Sequence, residues 1–244
     1  MTETPTAAML VIGDEILSGR TRDGNTQFLA QELTRHNIPL AEARVVQDVA
    51  QDIIDAVQAL SARYTYVFTS GGIGPTHDDI TAEAVAAAFD TPIGVRDDAR
   101  ALLAAHYASR GVEFNEARQR MARIPDGAEL IDNPVSVAPG FKIGNVHVMA
   151  GVPSVFQAMV ASVMPSLVGG APLLSQSVTL YRPEGEIAGP LGDLAAAFPD
   201  LQFGSYPFQR DGAYGAQIVV RGAEGGRIDL AMARLGEIFP VSAE

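Results

Sequence analysis

The stretch Tyr64-Thr65-Tyr66-Val67-Phe68-Thr69-Ser70-Gly71-Gly72-Ile73-Gly74-Pro75-Thr76-His77-Asp78-Asp79 decides how this 244-residue chain is read. Its opening residues are apolar, aromatic and β-branched, as a strand requires. A glycine turn follows, and then an Ala-rich helical pattern from Thr81 to Phe89. A strand that enters a glycine turn and leaves as a helix presents unpaired backbone N–H groups, a natural seat for phosphate. Gly71, Gly72 and Gly74 permit positive φ and close approach of a ligand, while Thr69, Ser70 and Thr76 offer hydroxyls. Asp78 and Asp79 stand adjacent at the end of the turn, where carboxylates would hold Mg2+. The same residues also suit a plain tight connection in which either aspartate caps the next helix.

Upstream, Ala8 to Ile12 reads as a buried strand, and Asn25 to about His36 as a helix capped by Asn25. Leu40 to Val46 reads as a second strand and Asp52 to Leu60 as a second helix. With the opening stretch this makes β-α-β-α-β-α, the alternation of a parallel sheet with helices on both faces. Downstream, helices are expected over 97–109 and 113–123, the second stopped by Pro125-Asp126-Gly127. An extended loop over 132–141 follows, then a hairpin turning at Gly144-Asn145, then a helix opened near Pro153 and running to about Val168. Composition changes at Gly169-Gly170-Ala171-Pro172. That predicts one domain over 1–170 and a small α+β module of β-α-β-β-α order over 171–244.

Open α/β sheets bind ligands beyond the carboxyl ends of their strands. The residues at those ends are therefore the candidates for binding. They are Asp14 and Glu15 in Gly13-Asp14-Glu15-Ile16-Leu17-Ser18-Gly19, Asp48 after the second strand, and Ser70, Gly71, Gly72, Gly74 and Thr76 in the glycine turn. Gly151 and Ser154 mark a second strand-to-helix turn, Met149-Ala150-Gly151-Val152-Pro153-Ser154. Asn133, Ser136 and Gly140 lie on the extended loop, where they would fold over a ligand. Of the four histidines, His77 beside Asp78 is the candidate base, and none shows metal-ligand spacing. Neither a Gly-x-Ser-x-Gly elbow nor a Walker A lysine is present, which argues against a serine hydrolase and a P-loop ATPase.

Composition narrows the class. The formal net charge of −12 opposes nucleic-acid binding, which depends on clustered Lys and Arg. Cysteine is absent, so disulfides and thiolate metal sites are excluded. No run of about eighteen apolar residues suggests a membrane span, and Met1-Thr2-Glu3-Thr4-Pro5-Thr6 lacks a basic n-region. A cytoplasmic protein with a small-molecule partner is the expectation.

Five segments resemble the molybdopterin-binding (MoaB/Mog) domain superfamily, and within it the amino-terminal region of CinA proteins. They are Gly13 to Gly19, Val45-Val46-Gln47-Asp48, Gly71 to Asp79, Ala138-Pro139-Gly140-Phe141 and Gly151-Val152-Pro153-Ser154. The likeness spans roughly residues 7–168, and the tail resembles the small KH-like module of those proteins in topology alone. The resemblance implies a three-layer α/β/α fold and a site for a nucleotide or pterin phosphate. It implies Mg2+, another divalent ion or K+ as cofactor, and a homo-oligomer. It also implies catalytic roles for Asp48, Asp78 and Asp79, with Asp78 and Asp79 on the metal. Two activities follow from it: metal-dependent cleavage of a pyrophosphate such as that of ADP-ribose, and adenylyl transfer to molybdopterin. Two departures stand out, Ala150 where CinA proteins carry proline and Val155 where they carry glutamate. Loss of that carboxylate leaves non-catalytic nucleotide or pterin binding as a third reading.

Overall fold

The computed structural model describes residues 4–170, 173–210 and 212–240. The chain divides into two compact units, Met1–Gly170 and Ala171–Glu244. Ala171 and Pro172 of the expected boundary, and Asp211, lie outside the described residues.

The first unit opens with β1 (Ala7–Ile12), α1 (Asp14–Leu17), α2 (Asn25–Arg35), β2 (Leu40–Val46), α3 (Ala50–Arg63), β3 (Tyr66–Ser70) and α4 (Thr81–Ala88). It continues with β4 (Ile93–Val95), α5 (Asp97–Ser109), α6 (Glu116–Gln119), β5 (Arg123–Pro125), β6 (Glu129–Ile131), β7 (Gly140–Ile143), β8 (Val146–Met149) and α7 (Pro153–Val163). Six strands form one sheet in the order β2-β1-β3-β8-β7-β6. β2, β1, β3 and β8 are mutually parallel; at one edge β7 pairs antiparallel with β8, and β6 antiparallel with β7.

The sequence of β1 shows why the sheet is buried on both faces. Every residue of Ala7-Ala8-Met9-Leu10-Val11-Ile12 is buried. Side chains alternate across a strand. Ala8, Leu10 and Ile12 enter a core with Ile53, Val57 and Leu60 of α3, Val85 of α4 and Leu103 of α5. Ala7, Met9 and Val11 enter a second core with Leu29 and Leu33 of α2 and with Phe156, Met159 and Val160 of α7. A continuous apolar run is what a strand covered on both sides needs. The fold is thus the three-layer α/β/α arrangement expected.

Three short strands were not legible in advance. The helix expected over 113–123 is broken: α6 spans four residues, Asn115 caps it through Oδ1, and a 3-10 turn leads straight into β5. β5 pairs antiparallel with β4. Pairing with distant residues outweighs helix periodicity here, because Ile124 gains a fully packed seat in the first core. Gly140, expected on a loop, opens β7 and pairs with Ile131.

The second unit holds β9 (Leu174–Leu180), α8 (Glu184–Ala197), β10 (Gln202–Arg210), β11 (Ala213–Gly222) and α9 (Gly225–Ile238). Its antiparallel sheet has the order β10-β11-β9. Ile187 and Leu194 of α8 and Ile228 and Leu235 of α9 pack on Leu180, Ala216, Ile218 and Val220. This is the β-α-β-β-α order read from the sequence.

Candidate functional site

The four parallel strands carry their carboxyl ends to one rim, and each end is followed by a turn. The rim borders a cleft of about 530 Å3, whose charged lining residues are Glu15, Asp48, Asp78 and Asp79. Among the described residues lining it, none is Lys, Arg or His.

The glycine turn forms one wall. Gly71 has φ +112°, and a Cβ there would come within 2.1 Å of Ile12 O. Gly72 has φ +69°, and its Cβ would meet Thr81 Oγ1 at 2.1 Å. Both positions therefore require glycine. The Gly71 N–H is not free: it donates to Met149 O at 3.1 Å and stitches the turn to β8. Gly72 contributes its carbonyl to Thr81 N–H at 2.9 Å, which anchors α4. Among the described residues, the N–H groups of Gly72, Ile73 and Gly74 donate to no protein acceptor. The free amides of the turn thus begin one residue after its first glycine.

A residue not foreseen as part of the site holds two of the turns together. Asn25 is buried, and its Nδ2 donates to Ser70 Oγ and to Gly151 O, both at 2.8 Å. The sequence suggests Asn25 as the cap of α2, but Gly24 stands at the cap position without a side chain, and Asp23 Oδ1 accepts the first helical N–H groups, of Asn25 and Thr26, at 2.9 and 3.2 Å. An asparagine with its side chain freed from capping by a preceding aspartate is the only sequence signal for this role.

Several candidate residues serve the frame. Ser70 is buried, with its hydroxyl on Asn25. Asn133 borders the cleft, yet its amide is engaged with its own loop. Nδ2 donates to Ser136 Oγ and Ala138 O, and Oδ1 accepts from Val135 N and Ser136 N. Gly140 is buried in β7, where a Cβ would meet Val148 O at 2.3 Å, and Ser154 is exposed on α7; neither lines the cleft. Asp79 braces the turn, because its Oδ2 accepts both the N–H and the hydroxyl of Thr76. Thr76 is thereby committed to Asp79 and is not among the cleft-lining residues. Asp79 is in this respect a turn residue, and Asp78, whose side chain is 64% exposed, is the carboxylate of the pair left open to solvent. His77 points to solvent with its side chain 99% exposed, 3.9 Å from Asp78.

Asp48 is the electrostatic focus. Its Oδ2 accepts the Asp14 N–H at 3.0 Å, so the second strand end holds the first loop. Partial burial lifts its carboxyl above the ordinary aspartate value, and the negative charges of Asp14, Glu15 and Asp78 push the same way against that hydrogen bond. Asp78 lies below the ordinary value, chiefly through the adjacent Thr76 side chain and then its own backbone N–H. Among the described residues no three His, Asp or Glu side chains converge as a ready metal cage. Mg2+ does not need one: it is commonly bound through one or two carboxylates together with substrate phosphates. Asp78 beside free amides fits that mode of binding.

Comparison with known proteins identifies the family. Residues 8–169 match the model of a family described as "Probable molybdopterin binding domain". Residues 172–243 match the middle domain of FAD synthase. A protein of Aeropyrum pernix is 32% identical over 85% of this chain and 81% of its own length. The "Probable FAD synthase" of Caenorhabditis elegans is 31% identical over 98% of this chain, and a CinA-like protein of Desulfosudis oleivorans is 32% identical over 81% of it. The chain spans about half the length of each of these two, 51% in both cases. The crystal structure of CinA from Thermoplasma acidophilum, a protein of unknown function, superposes with a TM-score of 0.62 at 31% identity. That alignment covers 67% of this chain and 98% of the other. The chain belongs to the molybdopterin-binding-domain family.

Proposed function

From membership of that family, we propose that the cleft binds a nucleotide or pterin phosphate and hydrolyses a pyrophosphate linkage such as that of ADP-ribose. One observation carries this reading: three backbone N–H groups, of Gly72, Ile73 and Gly74, lack acceptors beside a cleft whose charged lining is all carboxylate. A pyrophosphate entering such a cleft needs hydrogen-bond donors and a counter-cation together. The amides supply the first. Mg2+ held by Asp78, or another divalent ion in its place, would supply the second and draw charge from the phosphorus under attack. Asp48 then acts as general base. Its Oδ2 is held by the Asp14 N–H, which leaves Oδ1 to accept the proton of the attacking water. Its raised affinity for protons suits that task. Water oxygen bonds to one phosphorus, the bridging P–O bond breaks on the other side, and two phosphate monoesters leave.

Adenylyl transfer to a phosphorylated acceptor is the second reading, favoured by the match of the tail to the FAD synthase middle domain. Non-catalytic binding is the third. Val155 lines the cleft as an apolar group, so no carboxylate enters from that side.

The test is product analysis with ADP-ribose, FAD and ATP, each with and without Mg2+. Hydrolysis of ADP-ribose to AMP and ribose phosphate supports the first reading. Release of pyrophosphate from ATP with an adenylylated acceptor replaces it with the second. A ligand-induced rise in melting temperature with no product in any arm leaves the third.

A further inference from the structure

Resting on the phosphate-binding reading of the glycine turn, we infer that Arg120 is a positioning residue for that site. It holds the acidic end of the turn, so that Asp78 and the free amides of Gly72, Ile73 and Gly74 face one ligand together. The helix expected over 113–123 breaks after α6, and the 3-10 turn Arg120–Ala122 takes its place. Met121 of that turn lines the cleft, and Arg120 does not. Arg120 Nη2 instead donates to Asp79 O at 3.2 Å. Among the described residues, no other hydrogen bond or ion pair reaches residues 73–79 from elsewhere in the chain. Their remaining polar contacts close within the segment: Asp79 N–H donates to Thr76 O, Asp79 Oδ2 accepts from Thr76, and His77 lies beside Asp78.

The two ends of the turn are therefore held differently. At the amide end, the Gly71 N–H donates to Met149 O and Gly72 O accepts the Thr81 N–H, so β8 and α4 fix it, and Ile73 packs against both cores. At the acidic end a single guanidinium makes the link. Arg120 is itself kept in place, because Glu83 Oε1 of α4 lies 3.9 Å from its Nη2 and 2.8 Å from Arg123 Nη1 of β5. Its Nε–H is buried and donates to no protein atom. A small cavity of about 20 Å3, lined by Arg120 with Gly72, Ile73, Gly74 and Asp79, has room for one water. A water there would give Nε an acceptor and add a bridged link to the turn. Asp78 precedes the held carbonyl by one residue, so its freedom depends on this tether. Without it, residues 73–79 must be ordered each time a ligand binds, which weakens binding. The bound geometry is then recovered, so the loss falls on KM more than on kcat.

A matched pair of variants tests this. Arg120→Met keeps an unbranched stem and removes every donor, whereas Arg120→Lys keeps a charged donor. In the ligand-free full chain, backbone nitrogen-15 relaxation should show residues 73–79 loosened by Arg120→Met and close to wild type in Arg120→Lys. With ADP-ribose and Mg2+, Arg120→Met should raise KM about tenfold while kcat stays within about threefold, and Arg120→Lys should recover most of the loss. Arg123→Met removes the other partner of Glu83 but no bond to the turn, so both readouts should stay near wild type. Circular dichroism confirms that each variant is folded. A folded Arg120→Met with unchanged relaxation over 73–79 overturns the proposal. So does a loosened turn with unchanged KM, or a lysine variant no better than the methionine one. A wild type that does not cleave ADP-ribose removes the pyrophosphatase reading alone, and relaxation of the same three proteins still decides whether Arg120 holds the turn.

Discussion

Asp48 Oδ2 accepts the backbone N–H of Asp14 at 3.0 Å, and this bond joins the ends of two neighbouring strands at the cleft. It also explains how one carboxylate is tolerated among three others. A single donor steadies Asp48, while partial burial and the surrounding charges favour its neutral form.

Replacement of Asp48 by asparagine keeps an acceptor for Asp14 and removes the unfavourable charge. A raised folded value means that the native state binds more protons than the unfolded state, so Asp48 costs stability once pH rises through that value. Asp48→Asn should therefore raise the melting temperature at neutral pH by about 1 °C, after solvent screening is allowed for. The gain should vanish in acid. Mg2+-dependent turnover should fall at least about 100-fold. Scanning calorimetry at two pH values, with initial rates, checks both.

His147 should make the protein sensitive to acid. It is buried on β8, stacked on Phe68 with ring centroids 4.9 Å apart, and burial lowers its value to about 4 from the ordinary 6.5. The folded state thus holds fewer protons than the unfolded state between those values. Stability is full above pH 6.5 and is lost as pH falls toward 4, by up to about 3 kcal/mol. His147→Phe should flatten that part of the stability curve. Urea unfolding from pH 7 to pH 4 measures it, and equal slopes for the two proteins would contradict the assignment.

Asn25→Asp preserves the shape of the side chain and removes its donors. Ser70 Oγ and Gly151 O would then face a carboxylate in a buried setting. A loss of about 3 kcal/mol is expected, with weaker ligand binding because the two turns separate. Chemical denaturation alongside ligand-induced melting shifts would report both effects.

Two glycines with positive φ offer a contrast. Gly71→Ala forces a Cβ against Ile12 O, whereas Gly19, at φ +72°, has open space around it. Gly71→Ala should cost about 3 kcal/mol or more, and Gly19→Ala about 1 kcal/mol. Comparable losses in urea titrations would remove the case for close approach at Gly71.

Ser154→Ala serves as a control for the cleft. Ser154 is exposed and stands outside its lining. Turnover and binding should stay within about twofold of wild type, since a surface change away from the site alters little. Asp78→Asn should remove the Mg2+ dependence. If instead Ser154→Ala were the damaging change, the boundary drawn for the site would be wrong.

What could be read from the chain alone was whatever depends on near neighbours. Ala8 to Ile12 declares a strand buried on both sides because every residue is apolar. Gly71-Gly72 declares a turn because few other residues adopt its backbone angles. The acidic rim follows, since parallel strands deliver their ends to one side. β4, β5 and β6 escaped notice because three residues are too few to show alternation, and their pairing partners lie far along the chain. Tertiary structure alone decided which groups remain available. Met149, 78 positions beyond Gly71, takes its N–H; Asn25 takes the Ser70 hydroxyl across 45 positions; Asp79 is spent on Thr76. A hydrogen-bonding group is open to a ligand only when folding has brought it no partner, and that depends on which distant segments meet.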